Sequence, residues 1–266
     1  MVEQGATATY ERKKIKTGIE GLDNLLEGGF PEKGIYILVG GCGTGKTNIG
    51  LEFIFKGATK FKERGVFVNL EEEKTRMLTN IKSFGWDFSS LEKENSVRVI
   101  AFLRSIMGDI NSSLSKVCSP GGSSTLDMQK NIQWLSIDSL ISLIEEAAKD
   151  IGATRLVIDP WTAVTLLAET GAMARLATMS FFDRLKKMGL TTLITVEKET
   201  AYWEQLKFLA DGVIELDYVH TDGKAYRGLS VRKIRGSSFR EGYFNFSITP
   251  KGIKIDVTNF FEGAKV

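Results

Sequence analysis

Residues 40–47 read GGCGTGKT and fill every fixed position of the pattern G-x-x-x-x-G-K-[ST]. The run before them, GIYILVG (34–40), is continuously apolar, as a strand buried on both faces must be, and the run after them, TNIGLEFIFKGATKFKE, repeats its apolar residues at helical spacing. A glycine-rich turn between a buried strand and a helix start admits few folds. Its backbone N–H groups turn inward around an anion, and the helix N-terminus adds positive dipole. Lys46 then reaches the β and γ phosphates, and the Thr47 hydroxyl ligates magnesium. ATP is therefore expected on Cys42, Gly43, Thr44, Gly45, Lys46, Thr47 and Asn48, with Mg2+ on Thr47.

The rest of the chain keeps the same rhythm. VFVNL (66–70), SVRVIAF (96–102), RLVIDP (155–160) and LTTLITVE (190–197) read as strands, with KTRMLTNIKSFG, SIDSLISLIEEAAKD and AMARLATMSFFDRLKKM as amphipathic helices among them. This alternation predicts an α/β fold with a mostly parallel central sheet covered by helices. From Gly212 onward VIELDYV, AYRGLSVRKI, YFNFSI and GIKIDV are separated by turn residues, which predicts an antiparallel extension. The expected plan is a flexible arm at 1–16, one domain at 17–257 and a tail at 258–266. The Ser- and Gly-rich stretch 105–130 reads as a long loop or lid.

Composition narrows the function classes. At 266 residues and 42% hydrophobic content, the chain supports one sizeable core. Its 35 basic and 33 acidic residues sum to +2, so any electrostatic role belongs to local clusters. Cys42 and Cys118 have no C-x-x-C spacing, which argues against a disulfide framework or a zinc site and fits a reducing cytoplasm. With no apolar signal region and no run near 18 apolar residues, a soluble protein without a membrane role is expected.

Magnesium in phosphate-loop sites is also held by a carboxylate at the end of another apolar strand, and LVIDP supplies Asp159 in that setting. Hydrolysis further requires a group that orients or deprotonates water. VFVNLEEEK (66–74) ends an apolar run in Glu71, Glu72 and Glu73, one helix after the phosphate loop. In an α/β sheet that strand end opens on the same edge as the loop. Like-charge neighbours raise one another's pKa, which favours a proton acceptor, while an acidic turn capping the next helix is the competing reading.

In order and spacing, TGIEGLDNLLEGGFPEKG, the phosphate loop, GVFVNLEEE, SFGWD, RLVIDP, LADGVIEL and VRKIRGSSFREGYFNFSITPKGIKI resemble the KaiC-like ATPases of the RecA superfamily. The resemblance implies a RecA-like P-loop ATPase core in a single KaiC domain, with Glu71 and Glu72 carrying hydrolysis and Glu73 left to capping or solvent. It also implies a ring, commonly a hexamer, with ATP between subunits. There Lys233 and Arg235, flanking Ile234, reach the neighbour's nucleotide, since a cation supplied in trans stabilises charge on the transferring phosphoryl group. Ser237 matches a nucleotide-contacting hydroxyl and Ser83 a base-side contact. A basic hairpin face in water is the plainer reading, because Lys224, Arg227, Arg232 and Arg240 lie nearby.

The sequence also departs from the family. Phe239 replaces a histidine, and Lys207 and Phe208 stand where the clock member carries phosphorylated Ser and Thr, so rhythmic autophosphorylation is not expected there. The leading expectation is a magnesium-dependent ATPase that forms a ring and signals to an unnamed protein partner. A recombination accessory factor would need basic DNA loops, yet WTAVTLLAETGAMA has no lysine or arginine and KETAYWEQLKF is charge-mixed. A non-hydrolysing scaffold would lack the carboxylates that Glu71 and Glu72 provide.

Overall fold

The computed structural model describes residues 12–101, 137–165, 172–200, 203–221 and 223–260. The expected lid at 105–130 and the last residues of the expected tail lie outside these. In chain order the elements are β1 (Lys14–Ile15), α1 (Leu22–Leu25), β2 (Phe30–Pro31), β3 (Ile35–Gly40), α2 (Lys46–Lys56), β4 (Gly65–Asn69), α3 (Lys74–Ile81), α4 (Phe88–Lys93) and β5 (Val97–Ala101). They continue with α5 (Ile137–Ile151), β6 (Arg155–Asp159), α6 (Trp161–Thr165), α7 (Ala172–Met188), β7 (Thr191–Glu197), α8 (Trp203–Leu209), β8 (Gly212–Thr221), β9 (Lys224–Ile234), β10 (Phe244–Thr249) and β11 (Gly252–Phe260).

The main sheet runs β11-β10-β9-β8-β3-β7-β6-β4-β5. Pairings from β8 through β5 are parallel, and those among β8, β9, β10 and β11 are antiparallel, the α/β architecture that the sequence pattern predicts. The continuous apolar runs are explained by two cores. Along β3, Ile35, Ile37 and Val39 face one layer with Leu140, Ile144, Phe181 and Phe182, while Tyr36 and Leu38 face the other with Ile49 and Phe53. Both faces of the strand are thus dry, so a polar residue on either would lose its water. No helix among the described residues is long and apolar enough to cross a membrane.

Three boundaries differ from the sequence pattern. Lys14 and Ile15, expected in the flexible arm, pair with Pro31 and Phe30, and burial of Ile15 explains their order. At the other end β11 passes the expected limit at 257, because beyond a bulge Phe260 still pairs with Phe244. Finally, the helix read through 47–63 is α-helical only to Lys56 and then widens into a π-helical turn, Gly57–Phe61. There the buried Arg155 guanidinium lies against Gly57, where any side chain would collide with it. Arg155 donates to Phe53 O (2.8 Å) and Lys16 O (2.7 Å), and its Nη2 pairs with Glu63 at 2.6 Å.

Glu52, on the buried side of α2, ties that helix to the antiparallel extension. Its Oε2 accepts the Ile253 N–H at 2.7 Å, with Lys56 Nζ 4.0 Å from Oε1. Burial is the main reason its pKa is pushed up to about 7 from 4.5; the Ile253 bond and Lys56 oppose the rise, and Glu20 adds to it. The folded chain therefore holds this proton more tightly than the unfolded one, so stability falls as pH rises from about 4.5 to about 7 and is level above. Glu52→Gln keeps an acceptor for Ile253 and removes the charge. It is expected to raise unfolding free energy by up to about 3 kcal/mol at pH 8 and by little near pH 4.5. Urea melts at the two pH values check this, and an equal effect at both would remove the explanation.

Candidate active site

The phosphate loop leaves β3 at Gly40 and enters α2 at Lys46. Gly43 and Gly45 have φ of 73° and 106°, left-handed values that a side chain would strain. A side chain at Gly45 would also press on Ile248. The buried Thr44 closes the turn, its Oγ1 donating to Gly41 O at 2.8 Å. Lys46 is nine-tenths buried and donates to Gly40 O (2.7 Å) and Gly41 O (2.8 Å), which holds its ammonium inside the loop. Cys42 is exposed, while Thr47 and Asn48 are half-buried in the first turn of α2.

Asp159 ends β6, two strands from β3, with β7 between them. It is buried, and both Thr195 of β7 and Thr47 of α2 donate hydrogen bonds to it. Burial raises its pKa, against those two bonds and the Lys46 charge. A buried carboxylate bonded to a phosphate-loop hydroxyl suits a divalent cation, whose charge would offset the cost of desolvation. The described residues contain no cluster of three or more His, Cys, Asp or Glu side chains able to hold a metal. Magnesium does not need one, because it keeps several waters and takes one or two protein ligands plus phosphate oxygens.

The three glutamates follow β4, which lies beside β6 on the side away from β7. Here the structure separates residues that the sequence left together. Glu71 is exposed at its surface, yet desolvation by the surrounding protein is the first cause that raises its pKa, followed by the charges of Glu197 and Asp159, and Lys46 opposes them. Glu71 thus shares an electrostatic environment with the phosphate-loop lysine. Glu72 turns to α3 instead, where its Oε1 accepts from Asn80 Nδ2 (3.1 Å) and pairs with Arg76 Nε (3.3 Å). Glu73 occupies the N-cap of α3 with extended backbone and is exposed, without a side-chain capping bond.

Several residues of the site carry no motif in the sequence. Asn69, buried at the end of β4, shapes the acidic turn: its Oδ1 accepts Glu71 N (3.2 Å) and Glu72 N (2.9 Å), and its Nδ2 donates to Glu72 O (2.7 Å). Glu197, at the end of β7, pairs in register with Gly40 and accepts from Thr162 Oγ1 at 3.1 Å. Tyr218 and Arg227, a cross-strand pair on β8 and β9, both donate to Gly43 O, at 2.8 Å from the hydroxyl and 3.4 Å from the guanidinium. An Asn or Thr at a strand end is recognisable as a candidate only once its neighbours across the sheet are known.

Lys233, Ile234 and Arg235, expected to contact nucleotide, stand apart from this cluster. Ile234 pairs with Gly212, which in turn pairs with Tyr36 near the start of β3, whereas the phosphate loop follows Gly40 at its end. Four residues of strand, about 13 Å, separate those levels. Lys233 donates to Lys207 O and Ala210 O, both at 2.7 Å, and Arg235 to Phe208 O at 2.7 Å. Ile234 is buried, which turns its side chain into the core. Ser83 donates to Asn80 O (2.8 Å), Ser237 to Ser238 O (2.9 Å), and Phe239 packs on the core.

A family model described as "ATPase: KaiC" matches residues 15–259. A UPF0273 protein of Methanocaldococcus jannaschii is 32% identical over 246 residues, 91% of this chain and 95% of that one. The circadian clock oscillator protein KaiC of Synechococcus elongatus is 30% identical over 247 residues, which cover 91% of this chain and 44% of that longer protein. Among solved structures, a KaiC-like protein from Pyrococcus horikoshii superposes with a TM-score of 0.75 at 33% identity, covering 92% of this chain and 99% of its own.

Proposed function

The chain belongs to the KaiC family of P-loop ATPases, and from this membership we propose that it hydrolyses magnesium-bound ATP between the subunits of a ring and signals the outcome to a protein partner in the cytoplasm. One observation carries the hydrolytic reading: Lys46, the Thr47–Asp159 pair and Glu71 converge on one sheet edge from three separate strand ends. In this reading Lys46 turns from the carbonyls of Gly40 and Gly41 toward phosphate oxygens, and the loop N–H groups cradle the same phosphates. Thr47 and Asp159 would hold magnesium, which would neutralise phosphate charge there. Glu71 accepts the proton of the water that attacks the γ-phosphorus, and ADP departs as phosphate is formed.

The placement of Lys233 and Arg235 supports the ring. They lie on the far edge of the sheet from their own phosphate loop, so the nucleotide they could serve is a neighbour's. Lys46→Ala tests the nucleotide site itself. Calorimetric titration with magnesium and ATP is expected to show binding by the natural chain and none by the variant. Undiminished affinity in Lys46→Ala would show that the loop is not the binding site.

A further inference from the structure

The phosphate loop begins where β3 leaves the sheet, and the chains on either side of it continue past that point. Gly40 is the last residue of β3, in register with Glu197 of β7 and Leu216 of β8. Directly after Glu197, Lys198 reaches across the gap to β8, its Nζ 2.9 Å from Glu215 Oε1 and 2.8 Å from Asp217 Oδ2. Those two residues flank Leu216 along β8, so both carboxylates share one face of the strand. A half-buried ion pair is favourable only when its remaining polar atoms are also satisfied. Here Arg232 Nε pairs with Glu215 Oε2 at 2.6 Å, and the Tyr243 hydroxyl donates to Asp217 Oδ2 at 3.0 Å. Gly228, the cross-strand partner of Asp217, leaves room for the Tyr243 ring, which any side chain there would strike.

Lys198 also touches the loop itself. Its backbone N–H donates to Gly40 O at 3.3 Å, the same carbonyl that accepts Lys46 Nζ at 2.7 Å. When Lys46 turns to a phosphate, the carbonyls of Gly40 and Gly41 both lose its ammonium. Gly41 is half-buried, and its carbonyl retains Thr44 through Oγ1 at 2.8 Å and N–H at 3.4 Å. Gly40 is buried, and its carbonyl retains the Lys198 N–H. A buried carbonyl left without a donor bears the full cost of desolvation, so the position of that N–H governs how readily Lys46 is released.

We propose that Lys198 is a positioning residue for nucleotide binding, its ammonium bridging β7 to β8 at the base of the loop so that its N–H stays on Gly40 O when Lys46 moves to phosphate. This rests on the reading of the loop as the ATP site and adds a residue outside the motif. Calorimetric titration with magnesium and ATP compares the natural chain with Lys198→Met and Lys198→Arg. In Lys198→Met the two carboxylates keep Arg232 and Tyr243, so the fold is expected to hold. That variant is expected to bind ATP roughly tenfold more weakly, and Lys198→Arg, which spans both carboxylates, to stay within about threefold of the natural chain. In turnover the loss is expected in KM, with kcat at saturating ATP near the natural value, whereas a loosened fold would lower kcat as well. Natural affinity in Lys198→Met would overturn the proposal and leave the ATP site standing. Equal losses in the two variants, or a fall in kcat as large as that in affinity, would do the same. A natural chain that does not bind ATP would overturn both.

Discussion

Glu71→Gln is expected to lower ATP turnover by two or more orders of magnitude while leaving ATP affinity in place, and Glu72→Gln to change turnover only slightly. The first figure follows from the usual worth of a general base, roughly 10²- to 10⁴-fold. The contrast follows from where the two carboxylates spend their charge. Glu72 is engaged by Arg76 and Asn80 on the helix that follows it, whereas Glu71 interacts electrostatically with Lys46, Asp159 and Glu197. Desolvation and those two acids hold the Glu71 pKa above that of an ordinary glutamate. A base works deprotonated, so turnover is expected to fall on acidification, with a midpoint displaced upward from that of an ordinary glutamate. Phosphate release measured across pH for both variants checks this. Equal losses in the two, or full turnover in Glu71→Gln, would remove Glu71 from the base role.

The second large effect is expected from Arg235→Ala, at about 10³-fold or more in turnover, because a cation supplied in trans is worth roughly 10³- to 10⁵-fold in phosphoryl transfer. Its decisive form is a mixture. Chains carrying Arg235→Ala keep a working phosphate loop, and chains carrying Lys46→Ala keep a working Arg235. Each alone is expected to be inactive, and mixing them is expected to restore turnover, since an intact loop can then meet an intact arginine across a subunit boundary. The mass of the mixed assembly must be followed in parallel. Mixed rings that remain inactive would exclude the trans role, as would an Arg235→Ala chain of full activity.

The site is written unevenly in the sequence, for a reason visible in particular residues. The phosphate loop and Asp159 were legible because each is written locally, as a pattern of consecutive residues at the end of an apolar run. Asn69 and Thr195 were not, because an amide or hydroxyl in a strand carries no signal until the strand order is known. Only the sequence β3-β7-β6-β4 puts Thr195 beside Asp159, and only the tight turn after β4 puts the Asn69 amide under Glu71 and Glu72. The π-helical turn was likewise hidden, since Arg155 lies 102 positions beyond Phe53, whose carbonyl it binds.

By itself, then, the sequence determined a buried strand, a glycine-rich loop and a helix start in the one order that makes a phosphate cradle, together with strand ends rich in carboxylate. Backbone conformation and hydrophobic period are short-range properties, and a few consecutive residues suffice to express them. Strand order and packing set which glutamate feels the charge of Lys46 and which is occupied by Arg76, and why Lys233 and Arg235 lie beyond reach of their own loop. Those outcomes depend on strand order, register and the charges that neighbouring strands bring together, and electrostatic interaction acts through space rather than along the chain.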